Sequence, residues 1–353
     1  MKVVYSPRHA SHDTPVVTWV GVQIDGDEPP ERVEILRDTL ADLGHEVVEA
    51  SEHDDTILRR VHEPEMIEYM RTAHEAWQHT GYPSEPGQPN VTAYAFPLEK
   101  VLHGLPMRRP RSRAALAGVW AMDTTTPIGP GTYLGARAAV DMAQTAAELA
   151  VTGEPAVYAA CRPPGHHAGR GFFGGSCYLN NAAVAVETLI AGGVGKVGIV
   201  DIDAHHGNGT QEIFWRRGDV FYGSVHADPG EGWFPHFVGF ADERGEGDGL
   251  GKNLNVPVAP GSGDPEWLVA LSQVVNAVAD FDPEMVVVSL GVDAAVSDEN
   301  SPTLITQQGY SSAGELIAGL NRPTVFIQEG GYDLTTIGGL VAATLDGFQE
   351  AQR

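Results

Sequence analysis

The chain has 353 residues, 42% hydrophobic and 20% charged, a balance that belongs to globular proteins and excludes a disordered chain. Its formal net charge of -25 repels nucleic acid and anionic membranes and gathers cations, so neither is an expected partner and a cationic small molecule is. No apolar run approaches the roughly 18 residues of a membrane helix, and the opening residues carry no leader pattern, so a soluble cytoplasmic protein is expected.

In chain order, short β-branched runs at 3–5, 46–49, 156–160, 196–202, 220–225, 285–290 and 324–328 predict buried strands. Between them, segments of helical character predict helices over 32–43, 135–151, 181–191, 267–279 and 311–320. This alternation predicts an α/β domain, a mostly parallel sheet with helices on both faces. In such folds the ligand site lies beyond the carboxyl ends of the strands.

Two stretches break the rhythm. Residues 78–130 crowd Gly, Pro and Arg together and predict a long structureless insertion, which inside a compact domain serves function or a partner surface. Residues 228–263 carry Gly245, Gly247, Gly249 and Gly251. That spacing imitates a nucleotide loop, but it lacks the strand and helix that should flank one. No repeat divides the chain, so residues 1–353 are expected to form a single domain. Cys161 and Cys177 each sit inside a motif and are expected to be reduced and buried.

The polar clusters follow the strands directly. In Asp201-Ile202-Asp203-Ala204-His205, Asp203 and His205 lie two apart, and in an extended segment such residues face one side and can share a cation. Asp201 has the same parity and needs a charge partner or a second cation. Asp293 follows the run 285–290 and supplies a third ligand, leaving a fourth position open as in catalytic zinc sites. Taken alone it also reads as a helix cap.

After the strand at 156–160, Pro163, Pro164 and Gly165 fix the backbone that presents His166 and His167. Adjacent histidines seldom ligate one metal together, and an acid/base pair beside it is their better use. After 324–328, Tyr332 follows two glycines that let its hydroxyl turn toward a developing oxyanion.

In this combination and order the motifs resemble the zinc-dependent deacetylase superfamily, which includes histone deacetylases and acetylpolyamine amidohydrolases. The match runs from the first strand to Glu329-Gly330-Gly331-Tyr332. It implies an arginase/deacetylase-like fold with an eight-stranded parallel sheet, and one zinc ion on Asp203, His205 and Asp293. It also implies that His167 acts as general base and then acid, with His166 an electrostatic partner backed by Asp201. Tyr332 and the metal would polarise the acetyl carbonyl, Gly175 would offer its carbonyl to the substrate amide, and Phe234 would line the channel. A structural potassium ion would be held by Asp201 and the backbone carbonyls of Asp203, His205, Ser224 and Val225.

Two departures stand out. Asn208 occupies a position where many histone deacetylases carry aspartate, and an amide makes His167 less basic than a carboxylate would. Ser176 stands where the motif usually presents an aromatic ring, so a wider slot is expected. The 78–130 insertion and the 120–132 segment look like acetylpolyamine amidohydrolases, in which such an insertion reaches across a homodimer and narrows the mouth. The acid expected to meet a distal ammonium falls on Ala114, with Glu99 as a substitute. The expected activity is removal of acetyl from small acetylated polyamines or diamines. Alternatives are deacetylation of protein lysine or of a biosynthetic intermediate, a silent acyl-binding module, and a two-manganese ureohydrolase.

Overall fold

The computed structural model describes residues 1–26, 28–79, 89–299 and 301–353. Its strands are β1 (Lys2–Tyr5), β2 (Val16–Trp19), β3 (Val22–Asp25), β4 (Glu46–Glu49), β5 (Ala156–Ala159), β6 (Val197–Asp201), β7 (Val220–Ala227), β8 (Asn253–Val258), β9 (Met285–Leu290) and β10 (Thr324–Gln328). Eight of them form one parallel sheet in the order β4-β1-β5-β10-β9-β6-β7-β8.

The central strands are short because they are continuous apolar runs, buried on both faces. Alternate residues serve opposite faces. Val157, Ala159, Val287, Val325 and Ile327 pack into one core cluster with residues of the helices Pro64–Gln78, Thr132–Val151 and Asn181–Ala191. Tyr158, Val286, Val288 and Phe326 pack into the other, with residues of the helices Glu31–Asp42, Asp264–Phe281, Gln307–Ala318 and Ile337–Ala351. The helix Thr132–Val151 is buried along most of its length, and its alanines allow close approach to the sheet.

All seven predicted strands lie in the sheet. The eighth, β8, falls inside the glycine-rich 228–263 stretch expected to be irregular. It is an edge strand, which explains how it tolerates Pro257 and two asparagines. The hairpin β2–β3 was also not expected, because its turn is Val20-Gly21 rather than a familiar Asn-Gly pair; both residues have positive φ, 48° and 80°.

The insertion is not the structureless loop expected. Its residues 80–88 lie outside those described, but from 89 onward it holds the helices Glu99–Leu102 and Ala117–Trp120 and a bridge between Val91 and Ile128. Ala114, Ala117 and Trp120 are buried, so this arm is pinned to the domain by its own apolar residues.

Strand order decides where the polar loops go. β5, β10, β9 and β6 are four consecutive neighbours, so the segments that follow them, from Cys161, Glu329, Gly291 and Ile202, emerge side by side at one edge.

Candidate active site

Asp203, His205 and Asp293 each offer a ligand atom, and these atoms all lie within 4.8 Å of one another. His205 Nδ1 stands 2.9 Å from Asp293 Oδ2 and 3.5 Å from Asp203 Oδ1. The convergence does not come from strand parity as expected, because β6 ends at Asp201. Instead the backbone bends after it: the His205 amide donates to Asp203 Oδ1 at 2.9 Å, which turns both side chains inward. The outer oxygens are held by the amides of Gly330, on Asp203 Oδ2 at 2.8 Å, and Ala204, on Asp293 Oδ1 at 2.9 Å.

The neighbouring backbone must be bare for this to fit. A Cβ on Gly291 would stand 2.1 Å from Asp203 Oδ2, and one on Gly330 would stand 2.6 Å from Asp293 Oδ2.

Asp203 and Asp293 are fully or almost fully buried. Among the described residues no lysine or arginine pairs with either, only His166 and His205. Burial opposes the charge on Asp203, yet His166 and His205 hold its carboxyl below the usual range. Burial and the neighbouring Asp203 push Asp293 up to about 6. Two adjacent buried anions are costly unless a cation joins them. Two carboxylates and one imidazole at this spacing therefore fit a divalent transition metal such as zinc.

The histidine pair lies against this trio. Burial opposes the charge of His166, but Asp203 and Asp201 outweigh it and raise the imidazole to about 10. Its Nδ1 is 3.2 Å from Asp201 Oδ2. A dication on Asp203 would withdraw part of that support. His167 goes the other way: burial, then His166 and His205, lower it well below the ordinary histidine value. His167 Nδ1 donates to Asn208 Oδ1 at 2.7 Å, which leaves the Nε2 lone pair unprotonated. The amide thus fixes the tautomer without supplying a charge.

Two carboxylates that the sequence reading left without a role hold this frame. Glu329, raised by burial to about 7, accepts the backbone amides of Gly165 at 2.6 Å and His166 at 3.1 Å. Asp123 accepts the amides of Gly175, Thr125 and Thr126, which shapes the turn carrying Gly175 and Ser176. A run of Asp followed by three threonines was the only signal for it, and such turns are common. Arg32 also braces the frame: its guanidinium donates to the carbonyls of Gly331 and Glu329 and lies 4.9 Å from the centre of the Tyr332 ring.

His167, His205, Tyr332, Gly175, Ser176 and Phe234 line one cavity of about 350 Å³, with Trp19, Thr125, Trp233, His236 and Glu299 also in its wall. The Phe234 ring packs edge-on to His167 at 4.7 Å. Asp201, Asp203 and Asp293 stand behind it, shielded from solvent. Neither Ala114 nor Glu99 lines it: Ala114 is buried in a 3-10 turn, and Glu99 is an exposed helix start. A larger cleft of about 940 Å³ lies beyond Asn208, but it holds none of the three ligands.

An eight-stranded parallel α/β fold with this cluster at its strand ends is the arginase/deacetylase architecture. The chain belongs to the histone deacetylase domain family, which it matches over residues 27–348. It is 36% identical to an acetylpolyamine amidohydrolase of Mycoplana ramosa, over 98% of this chain and 99% of that one. It is 37% identical to acetylpolyamine amidohydrolase 1 of Pseudomonas aeruginosa over the full length of both. A crystal structure of an acetylpolyamine aminohydrolase from Burkholderia pseudomallei superposes with a TM-score of 0.92 at 33% identity, covering 99% of each chain.

Proposed function

We propose that this protein is a zinc-dependent amidohydrolase that removes acetyl groups from small acetylated amines, polyamines or diamines among them. The observation that carries the reading is the meeting of His167, His205 and Tyr332 in one cavity, with the carboxylates of Asp203 and Asp293 behind it. The acetylpolyamine amidohydrolases to which the chain is similar over its full length support it, and so does the net charge of -25, which favours cationic substrates.

Zinc bound at Asp203, His205 and Asp293 would supply Lewis acidity to the acetyl carbonyl and make water a stronger nucleophile. The residues do the rest. His167, neutral with its lone pair on Nε2, accepts the proton of the attacking water and returns it to the departing amine. His166, paired with Asp201, keeps a positive charge next to the developing negative one. Tyr332 donates a hydrogen bond to the oxyanion, and the Gly175 carbonyl accepts the amide N–H. Phe234 walls the acyl chain.

A structural potassium ion beside Asp201 completes this reading, with the carbonyls of Asp203, His205, Ser224 and Val225 as further ligands. The pairing of Asp201 with Ser224 across β6 and β7 supports it. We also propose a homodimer through the insertion, whose exposed Tyr94, Leu98, Val101 and Leu105 offer an apolar surface. Light scattering should give twice the monomer mass at micromolar concentration. A monomer there would remove the dimer.

The activity is tested by turnover of acetylputrescine, acetylcadaverine, acetylspermidine and an acetyl-lysine histone peptide. The small amines should have the higher specificity constants, and chelation followed by zinc should abolish and restore turnover. A peptide preference would overturn the small-amine reading in favour of a protein deacetylase.

A further inference from the structure

Tyr332 has to place its hydroxyl on the carbonyl oxygen that a metal at Asp203, His205 and Asp293 would polarise, and such a group works only when it is held within about 0.5 Å of its productive position. Its own loop is poorly equipped for that. Two glycines precede it, and Gly331 sits at φ 123°, where a Cβ would stand 2.5 Å from Val292 Cγ2. Bare backbone lets the loop pass close to the ligands, but it also leaves the loop more conformational freedom than any other residue type would.

The loop is first tied down by backbone pairing: the Glu329 amide donates to the Leu290 carbonyl at 2.9 Å, and the Val292 amide to the Gly330 carbonyl at 3.0 Å. At Tyr332 the partner becomes a side chain. Asp298 Oδ2 accepts the amides of Tyr332 at 2.6 Å and Asp333 at 3.3 Å. Asp298 is buried although Val296, Ser297 and Glu299 beside it are exposed. Turning a carboxylate inward from a surface segment costs hydration that hydrogen bonds must offset.

The segment that carries Asp298 is itself fixed. The Asp298 amide donates to the Ala295 carbonyl at 3.0 Å, the Ser301 amide donates to the Asp298 carbonyl at 3.1 Å, and Ala295 bridges to Ile305. A second clasp runs alongside, with Ser297 Oγ 2.9 Å from Thr336 Oγ1, which donates to Asp333 Oδ2 at 2.8 Å. One short piece of chain therefore holds the ligand Asp293 at one end and the backbone of Tyr332 at the other.

We propose that Asp298 is a positioning residue for the reaction: it ties the Tyr332 backbone to the segment that begins at Asp293 and so sets the distance of the phenol from the metal site. This rests on the amidohydrolase reading above. Asp298 is not among the residues that line the cavity, so it acts through Tyr332 and not on the substrate.

The test is a double-mutant cycle on acetylputrescine hydrolysis, with zinc content measured in every variant. Asp298→Ala should lower kcat about tenfold to thirtyfold, with KM within about twofold and zinc retained. In the Tyr332→Phe background no hydroxyl is left to place, so the same substitution should change kcat by less than about twofold. Asp298→Asn keeps an acceptor oxygen at the same reach and should stay within about threefold of the unmodified protein. Asp298→Ser, whose oxygen stops one bond short, carries the expectations for alanine should that variant not fold. A near-normal kcat in Asp298→Ala, an equal loss in both backgrounds, a loss of zinc, or an Asn variant as slow as the Ala variant overturns the positioning role and leaves the amidohydrolase reading standing. If the unmodified protein hydrolyses no acetylated amine, that reading falls and the role of Asp298 with it.

Discussion

The floor of the cavity and its mouth are built on opposite terms. At the floor, Asp203, Asp293, Asp201, His166 and Glu329 are buried, and every one of them is held by hydrogen bonds to backbone or to a charged neighbour. At the mouth, Trp19 and Glu299 are exposed, and Glu299 pairs with no described residue. Displacing a floor group strands a buried charge, whereas altering a mouth group changes only what is met in solvent. Reaction type should therefore follow from the floor and substrate choice from the mouth.

The largest expected effect is at the floor. Asp203→Ala and His205→Ala should each lose the bound metal and lower turnover by about a thousandfold or more, since the Lewis acid supplies several kcal/mol. Metal analysis decides it, and full zinc occupancy in both variants would break the assignment.

Next come the groups that face the reacting atoms without holding metal. His167→Ala and Tyr332→Phe should each lower kcat by about a hundredfold with metal content and KM little changed. Near-normal kcat in either variant would take that residue out of the mechanism.

The smallest effect belongs to the mouth. Trp19→Ala should leave kcat within about twofold and raise KM for acetylated diamines by about threefold, because the indole is half exposed and its cation–π contact is worth about 0.5–1 kcal/mol. A loss of kcat as large as that of His167→Ala would mean that the hairpin organises the floor, and the contrast between the two regions would fail.

What was legible in the sequence tracks the same division. Each floor residue follows an apolar run, and such runs are read locally because burial on both faces demands unbroken hydrophobicity. Hence the strands that lead to Asp203, Asp293 and His166 were predicted within a residue or two. The mouth had no comparable pattern. β2–β3 is a short exposed hairpin with an unusual turn, and β8 is an edge strand broken by Pro257. Glu299 lies in a chain segment with no periodicity at all.

The sequence by itself determined the alternating α/β class, the ligand types and the histidine pair, because each is a local pattern of residue kinds. Only the tertiary structure decided which carboxylates act on which backbone. Glu329 reaches Gly165 across 164 positions, and Asp293 meets His205 across 88. Those meetings depend on β5, β10, β9 and β6 lying side by side, an order that no local window records. The inward turn of Asp203 was likewise a matter of structure, since it needed bare glycines at 291 and 330, just past the ends of two other strands.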